Sequence, residues 1–481
     1  MLTRRPRLSS IIFGLAAVAV TGWAAESEAH AAGCEVTDTQ DDASVSGTLR
    51  WCVNKALSGA YSKIIIDNAD TYPLDVPLAI SGSMLIDGGM STIVPASGFV
   101  GDSLLEIATS CSGPCPLQNV VLRSVTLDGD GVAGPRGIDL DSGVVLEMEQ
   151  SVVAGFATTD NGAGLRVTDA TVLITSTNFL GNAADGDGGG IYVDPSSTTA
   201  ELHLDDSLFD ENRAFDGGGI HVGNATTVLN ALYTEFSENR AKGSGGGVSG
   251  GGLFERCILA YNETSGFGGA IDSRDHSLTV LESFFQRNIA ETGGAIDVGG
   301  IGVADIRRSA FHHNQATGEL GGGGVHQSGA HLTLVNSTLA HNEAQGGGTG
   351  AAGVSIDSGQ STLDNLTFYF NNGSGAGAAE GLYVAGPAIV DLRNSLFTQT
   401  GLNCEIAGTV MASTSYANDF SCGPGVIPVP GALTASCGGS DFEYHCEPSP
   451  GLQGLGVCAT QVDQIGTPRP TACFPGSIEL P

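Results

Sequence analysis

Positive charge is scarce in this sequence. Lysine and arginine number 19 against 52 aspartates and glutamates, a formal net charge of −33. A surface of that sign repels phosphate backbones and anionic lipid, so nucleic acid and membrane surfaces are poor partners. Aromatic residues make up only 6% of the chain, which weighs toward binding rather than a catalytic cleft lined with sugar-stacking rings. Charged residues reach only 15%, while hydrophobic content is 41%, so no large segment has the composition of a disordered chain. The one long apolar run, 11–20, is too short to cross a membrane as a mature helix. No nucleotide-binding glycine loop and no HExxH metal helix occurs.

The residues that are present point outward from the cell. Arg4, Arg5 and Arg7 precede the apolar run, and Ala29-His30-Ala31 offers a small-x-small cleavage site, so residues 1–31 read as a signal peptide. In an exported protein the eleven cysteines imply disulfides. Cys34 and Cys52 lie near the start, and Cys111 and Cys115 share a short loop. Cys404, Cys422, Cys437, Cys446, Cys458 and Cys473 crowd the last 80 residues. The expected pairs are Cys34–Cys52, Cys111–Cys115 and Cys404–Cys422. The last four pair among themselves in one of three connectivities, and Cys257, alone in mid-chain, stays free.

A repeated phrase decides the fold class. Phe179-Leu180-Gly181-Asn182 returns as 209–212, 236–239, 285–288, 311–314 and 368–371, with weaker copies at 259–262, 339–342 and 397–400. Successive copies stand 23 to 30 residues apart, a period of solenoids rather than four-stranded propeller blades. Ten and eight residues before each Asn come apolar pairs such as Leu202/Leu204 and Leu278/Val280, with a polar residue between. That is strand alternation with one buried face. A small residue stands five before the Asn and a Phe or Leu three before, giving a second strand. A Gly-Ile stretch such as Gly219-Ile220 gives a third. Three short strands cannot bury their apolar faces alone, but stacked coils can.

The expectation is therefore an all-β, right-handed parallel β-helix of about ten three-strand coils over residues 115–400. An N-terminal cap with a first irregular coil occupies 32–114, and a Cys-rich C-terminal cap occupies 401–481. Leu49, Cys52, Val53 and Ala56 fall on one stripe, so residues 47–60 are read as a helical plug. The Asn column itself reads as a ladder of amides bonded from coil to coil.

The two ends carry a family resemblance. Gly47-Thr48-Leu49-Arg50-Trp51 followed by Asn54-Lys55-Ala56 resembles the opening of bacterial CSLREA-type β-helix proteins. The segment from Val462 to Pro470, then Cys473, Gly476 and Glu479, resembles the closing signature of the choice-of-anchor Q family. The Gly-Gly-Ala-Ile and Phe-x-x-Asn phrases are similar to chlamydial polymorphic outer-membrane repeats. The resemblance implies secretion and β-helix architecture, and no agreed activity. Ile465 and Pro475-Gly476-Ser477-Ile478 depart from the closing pattern.

The best candidate site is the polar column after each Gly-Ile pair: Arg166, Tyr192, His221, Ser249, Asp272, Asp297, His326, Ser355 and Tyr383. Alternation points these outward. Asp272 and Asp297 should stand about 5 Å apart in neighbouring coils, with Arg274 on the same face. Such a pair invites a shared proton, a cation or a sugar-cleaving role; an ordinary solvated face is the plainer reading. His312, His313 and His341 form a second cluster, read as solvated turn histidines. Asp128-Gly-Asp130 and Asp185-Gly-Asp187 look like fragments of calcium loops, but two carboxylates cannot fill six to eight oxygen positions. No catalytic set like those of polygalacturonases or pectate lyases aligns. These features favour a secreted or cell-surface structural and interaction protein, monomeric, binding glycan or another surface partner through Asp272, Asp297, His326, His221 and Arg274. It needs no cofactor, calcium being the one conceivable ion. The rival is a polysaccharide lyase or glycoside hydrolase using Asp272 and Asp297.

Overall fold

The computed structural model describes residues 33–66, 69–109, 117–129, 132–193, 200–374, 378–399, 401–413 and 415–422, with short pieces between 426 and 473. The expected signal peptide and the Cys111–Cys115 pair lie outside the described residues. Strands with alternating burial stack in parallel into an all-β solenoid of about 13 turns. One face shows the register plainly: His203 pairs with Asn230, then Leu253, Thr279, Asp305, Thr333, Thr362 and Asp391. Each step is one coil.

Each central coil holds four strands rather than the expected three. The fourth is a two-residue strand after the Asn, such as Arg213–Ala214 or Arg240–Ala241, and these form their own nine-stranded sheet. Two residues provide only one inward position, usually Ala, so there was no alternation to read. Two corners bound the Phe-bearing strand. The residue before the Asn is left-handed in successive coils, with φ of 58° at Tyr261, 53° at Arg287, 56° at His313 and 55° at His341. The residue six before it behaves alike, as at Tyr233 and Arg256. A non-glycine there costs about 1 kcal/mol, which the packed neighbours in the coils above and below offset.

Three internal ladders hold the coils in register. Phenylalanine rings stack, with centroids 4.9 Å apart for Phe179 and Phe209 and 4.8 Å for Phe285 and Phe311. The Asn ladder runs from Asn182 through Asn212, Asn239, Asn262, Asn288, Asn314 and Asn342 to Asn371, each amide donating to the next at 2.9–3.0 Å. Each of these amides also donates to a carbonyl one coil back, for example Asn288 to Leu259 at 2.8 Å. The small-residue column makes a third ladder. Ser283 Oγ accepts from the Cys257 backbone, Ser309 Oγ from Ser283 and Ser337 Oγ from Ser309.

The N-terminal end is closed as the stripe implied. The helix Leu49–Leu57 buries Leu49, Cys52, Val53 and Ala56, and the Thr48 hydroxyl caps it by accepting from the Trp51 amide. Cys34–Cys52 ties the first strand to that helix, and Cys404–Cys422 staples the other end. Parallel pairing already links Cys34 with Ile64 and Ile64 with Ile86, and it continues to Tyr416 with Ile427. Among the described residues, antiparallel pairs occur only in the tail. The tail also touches the flank. Gln464 accepts from Thr338 Oγ1 at 2.7 Å and donates to the Ser309 carbonyl at 3.3 Å. Ala310, Thr338, Thr367 and Leu396 point outward but are buried, whereas Asn178, Leu208 and Glu235 of the same column are not.

Candidate functional site

The column that follows the Gly-Ile pairs exists in the expected register, Ser249 beside Asp272, Asp297, His326 and Ser355 in turn. Glycines make the stacking possible. A Cβ on Gly269 would sit 2.1 Å from the Gly294 carbonyl oxygen, and Gly268 turns at φ +63°.

The column is not the open face that alternation implied. Asp272 is 6% exposed, His326 2% and Asp297 0%. The reason is local cover. Arg274 lies over Asp272, Thr292 from just before the strand reaches Asp297, and Asp357 closes over His326. Toward the N-terminal coils the column opens again: the Arg166 side chain is 41% exposed, and His221 is partly open.

Charges alternate along the buried part. Arg274 binds Asp272 through Nε at 3.0 Å and a terminal nitrogen at 3.1 Å. The same guanidinium donates to Ser244 Oγ and lies 3.7 Å from the centre of the Phe267 ring. Asp297 Oδ2 contacts His326 Nδ1 at 2.7 Å and accepts from Thr292 Oγ1 at 3.0 Å. His326 Nε2 stands 3.1 Å from Asp357 Oδ2. Burial alone would lower the His326 pKa, but the two carboxylates outweigh it and hold the imidazole up at about 9. His326 is therefore a cation at neutral pH, bridging three successive coils. Burial raises the Asp272 carboxyl, Arg274 opposes that rise, and Asp297 adds to it. Asp297 Oδ1 is buried with no hydrogen-bond partner among the described residues.

Sequence reasoning missed two members of this row. Thr292 lies outside the named strands, where it makes only an isolated parallel bridge to Phe267. Asp357 is the extra residue of a bulge, because Gln327 pairs with Ile356 and Ser328 with Ser358. A bulge re-aims a side chain in a way that alternation cannot foretell.

Other candidates settle into different roles. Asp187 Oδ1 accepts from the Asp216 backbone at 3.1 Å, so it caps a turn, while Asp130 lies outside the described residues. No group of three or more His, Cys, Asp or Glu among the described residues is arranged to hold a metal ion. His313 and His341 stand at corner turns, His313 exposed and His341 half-buried, while His312 beside them is half-buried. The rings of His313 and His341 stack 5.1 Å apart, and burial, helped by His313, His341 and Arg287, pushes His312 down to about 3. Cys257 is free and buried, its thiol pushed up to about 12 by burial.

No protein-family model matches the chain, and no curated protein matches it. The chain is similar to several solved structures, among them the three that follow. The catalytic unit of a thermostable GH87 alpha-1,3-glucanase from Streptomyces thermodiastaticus shares 15% identity over 81% of this chain and 71% of that one, with a TM-score of 0.40. Tailspike protein 3 of bacteriophage CBA120 shares 11% identity over 79% and 61%, TM-score 0.33. PfbA, a surface adhesin of Streptococcus pneumoniae, shares 8% identity over 84% and 94%, TM-score 0.33. At these identities the likeness concerns the β-helix fold alone.

Proposed function

We propose that this is a secreted or cell-surface interaction protein whose solenoid flank binds glycan or another surface partner. One observation carries the reading: Arg274 and His326 offset two of the three carboxylates of the row, Asp272, Asp297 and Asp357, and only the edges of the row meet solvent. Arg274 is about one-third exposed, and Asp357 and His221 also reach the surface. These three would touch a ligand, with Asp272, Asp297 and His326 as positioning residues beneath them. On its end motifs we place the chain with the choice-of-anchor Q and CSLREA-type proteins. The two disulfides suit an extracellular setting, and no helix among the described residues is long and apolar enough to cross a membrane.

A glycan array probed with the full chain tests this reading. Arg274→Gln and Asp357→Asn should each weaken any binding found by about tenfold, the loss of one charge-assisted contact. Binding untouched by both changes would remove this flank from consideration. Added calcium should alter nothing, since the carboxylates of the row are already bonded to Arg274 and His326.

A second reading, hydrolysis or elimination on a polysaccharide, draws on Asp272. Its carboxyl is raised by burial and lies one coil from Asp297, near the spacing of a retaining carboxylate pair. Against it, both carboxylates of such a pair must meet the sugar, and Asp297 is fully buried. Release of reducing ends or of unsaturated products that Asp272→Asn abolishes would favour the enzyme.

A further inference from the structure

A different flank carries an assignment that the acidic row does not supply. Acidic residues outnumber basic ones by more than two to one, so an arginine without a carboxylate partner is unusual here. Arg50, Arg123, Arg136, Arg166, Arg240, Arg256, Arg274, Arg307, Arg308 and Arg393 all stand within 4 Å of one. Among the described arginines only Arg213 and Arg287 do not, and each lines a surface hollow of about 320 Å³. Both hollows lie along the corner that encloses the Asn ladder: the one at Arg287 straddles the Asn column, and the one at Arg213 lies on the strand after it. They are three coils apart in the register Arg213, Arg240, Glu263, Ile289, which is about 14 Å.

The hollow at Arg287 is the better built. Arg287 donates to the Tyr261 hydroxyl at 3.1 Å and lies 5.6 Å from the centre of that ring, which fixes its guanidinium without neutralising it. Tyr261 is 46% exposed. His313 lines the same hollow, and its ring stacks on His341. Burial and the Arg287 charge keep His313 below its usual range, so the cation beside the hollow is Arg287 itself. Glu343 lines the far side, with Oε2 already engaged by the amides of Gln315 at 3.2 Å and Gln345 at 2.9 Å. The second hollow places Arg213 and Lys242, both exposed, with the single carboxylate of Asp185 over a floor of Ala157, Ala183 and Ala214.

We propose that this corner binds a linear glycan bearing carboxylates, one carboxylate held by Arg287 between Tyr261 and His313, with the chain running toward Arg213 and Lys242. An unpaired, pre-oriented guanidinium matches a planar carboxylate in fork geometry. Gln315, Glu343 and the histidine nitrogens supply hydrogen-bonding edges for sugar hydroxyls. The rest of the acidic surface repels polyanions, which restricts such a chain to the seam where positive charge is left over.

Calorimetric titration of the full chain with a short oligouronate, and with the same oligomer methyl-esterified, isolates the charge. The oligouronate should bind, and the ester should bind at least about tenfold more weakly. Arg287→Gln should weaken oligouronate binding by about tenfold and leave binding of the ester unchanged, while Arg287→Lys keeps part of the acid's affinity. The His313 imidazole should titrate at higher pH in the complex, a shift read by NMR that a merely structural arginine would not produce. Both variants are to be compared at matched melting temperature, since Arg287 sits at a strained corner. Equal binding of acid and ester, unchanged affinity in Arg287→Gln, or no binding of the oligouronate would each overturn the assignment. Loss in Arg274→Gln but not in Arg287→Gln would also overturn it and place the ligand on the acidic row instead.

Discussion

At the scale of single residues, buried polar groups set the energetics. Asn288 is fully buried, accepts from Asn262 and donates to Asn314 and to the Leu259 carbonyl. Asn288→Ala strands several of those partners at once and should cost about 3 kcal/mol or more, read by denaturant melts. Cys257 occupies the small-residue ladder. Buried, with a raised thiol pKa, it should resist iodoacetamide in the folded protein and react after unfolding; rapid labelling of the native chain would mean a register slipped by one residue. Cys257→Ser should shift stability by less than about 1 kcal/mol, because serine already fills the neighbouring rungs. His326 gives a pH signature. Its folded pKa, about 9, lies above the ordinary value of 6.5, so its contribution is full below pH 6.5 and is lost as pH rises through about 9. Denaturant midpoints from pH 6 to pH 10 should fall in the native chain, and His326→Asn should flatten that fall.

At the scale of elements, the tail strands choose among the three open disulfide arrangements. Ala435–Gly438 pairs antiparallel with His445–Pro448, and the register sets Cys437 directly opposite Cys446. Peptide mapping should therefore link Cys437 with Cys446, leaving Cys458 for Cys473; a Cys437–Cys458 link would contradict the register. Period-two patterns of five residues, as in Ser277–Leu281, left their buried face legible, and the Phe-x-x-Asn phrase located one corner. The helix Leu49–Leu57 was legible from its apolar stripe. The two-residue strands were not, because one inward Ala carries no period. The acidic row was legible as a column, since Asp272, Asp297 and His326 share a register, but its burial was not. Cover came from a threonine between strands, a bulged aspartate and an arginine folding back, all set by tertiary placement. The hollows at Arg213 and Arg287 were invisible for a related reason. Knowing that an arginine lacks a partner requires knowing every neighbour.

At the scale of the whole molecule, stacking turns local repetition into an axis. Side chains in one column are spaced by the strand separation, about 4.8 Å. A column of this kind meets a linear polymer over many coils. The most direct test of the architecture is the growth of distance with coil number along one face. His203, Asp305 and Asp391 share the ladder, four coils and seven coils apart. In a Cys257→Ser background, spin labels at 203 and 305 should lie about 19 Å apart at the backbone, and labels at 203 and 391 about 34 Å. Pulsed electron resonance reads both separations, with the label arms adding a common spread. A solenoid requires the second distance to exceed the first by close to three coil rises; equal distances, or the 203–391 pair being the nearer, would contradict it.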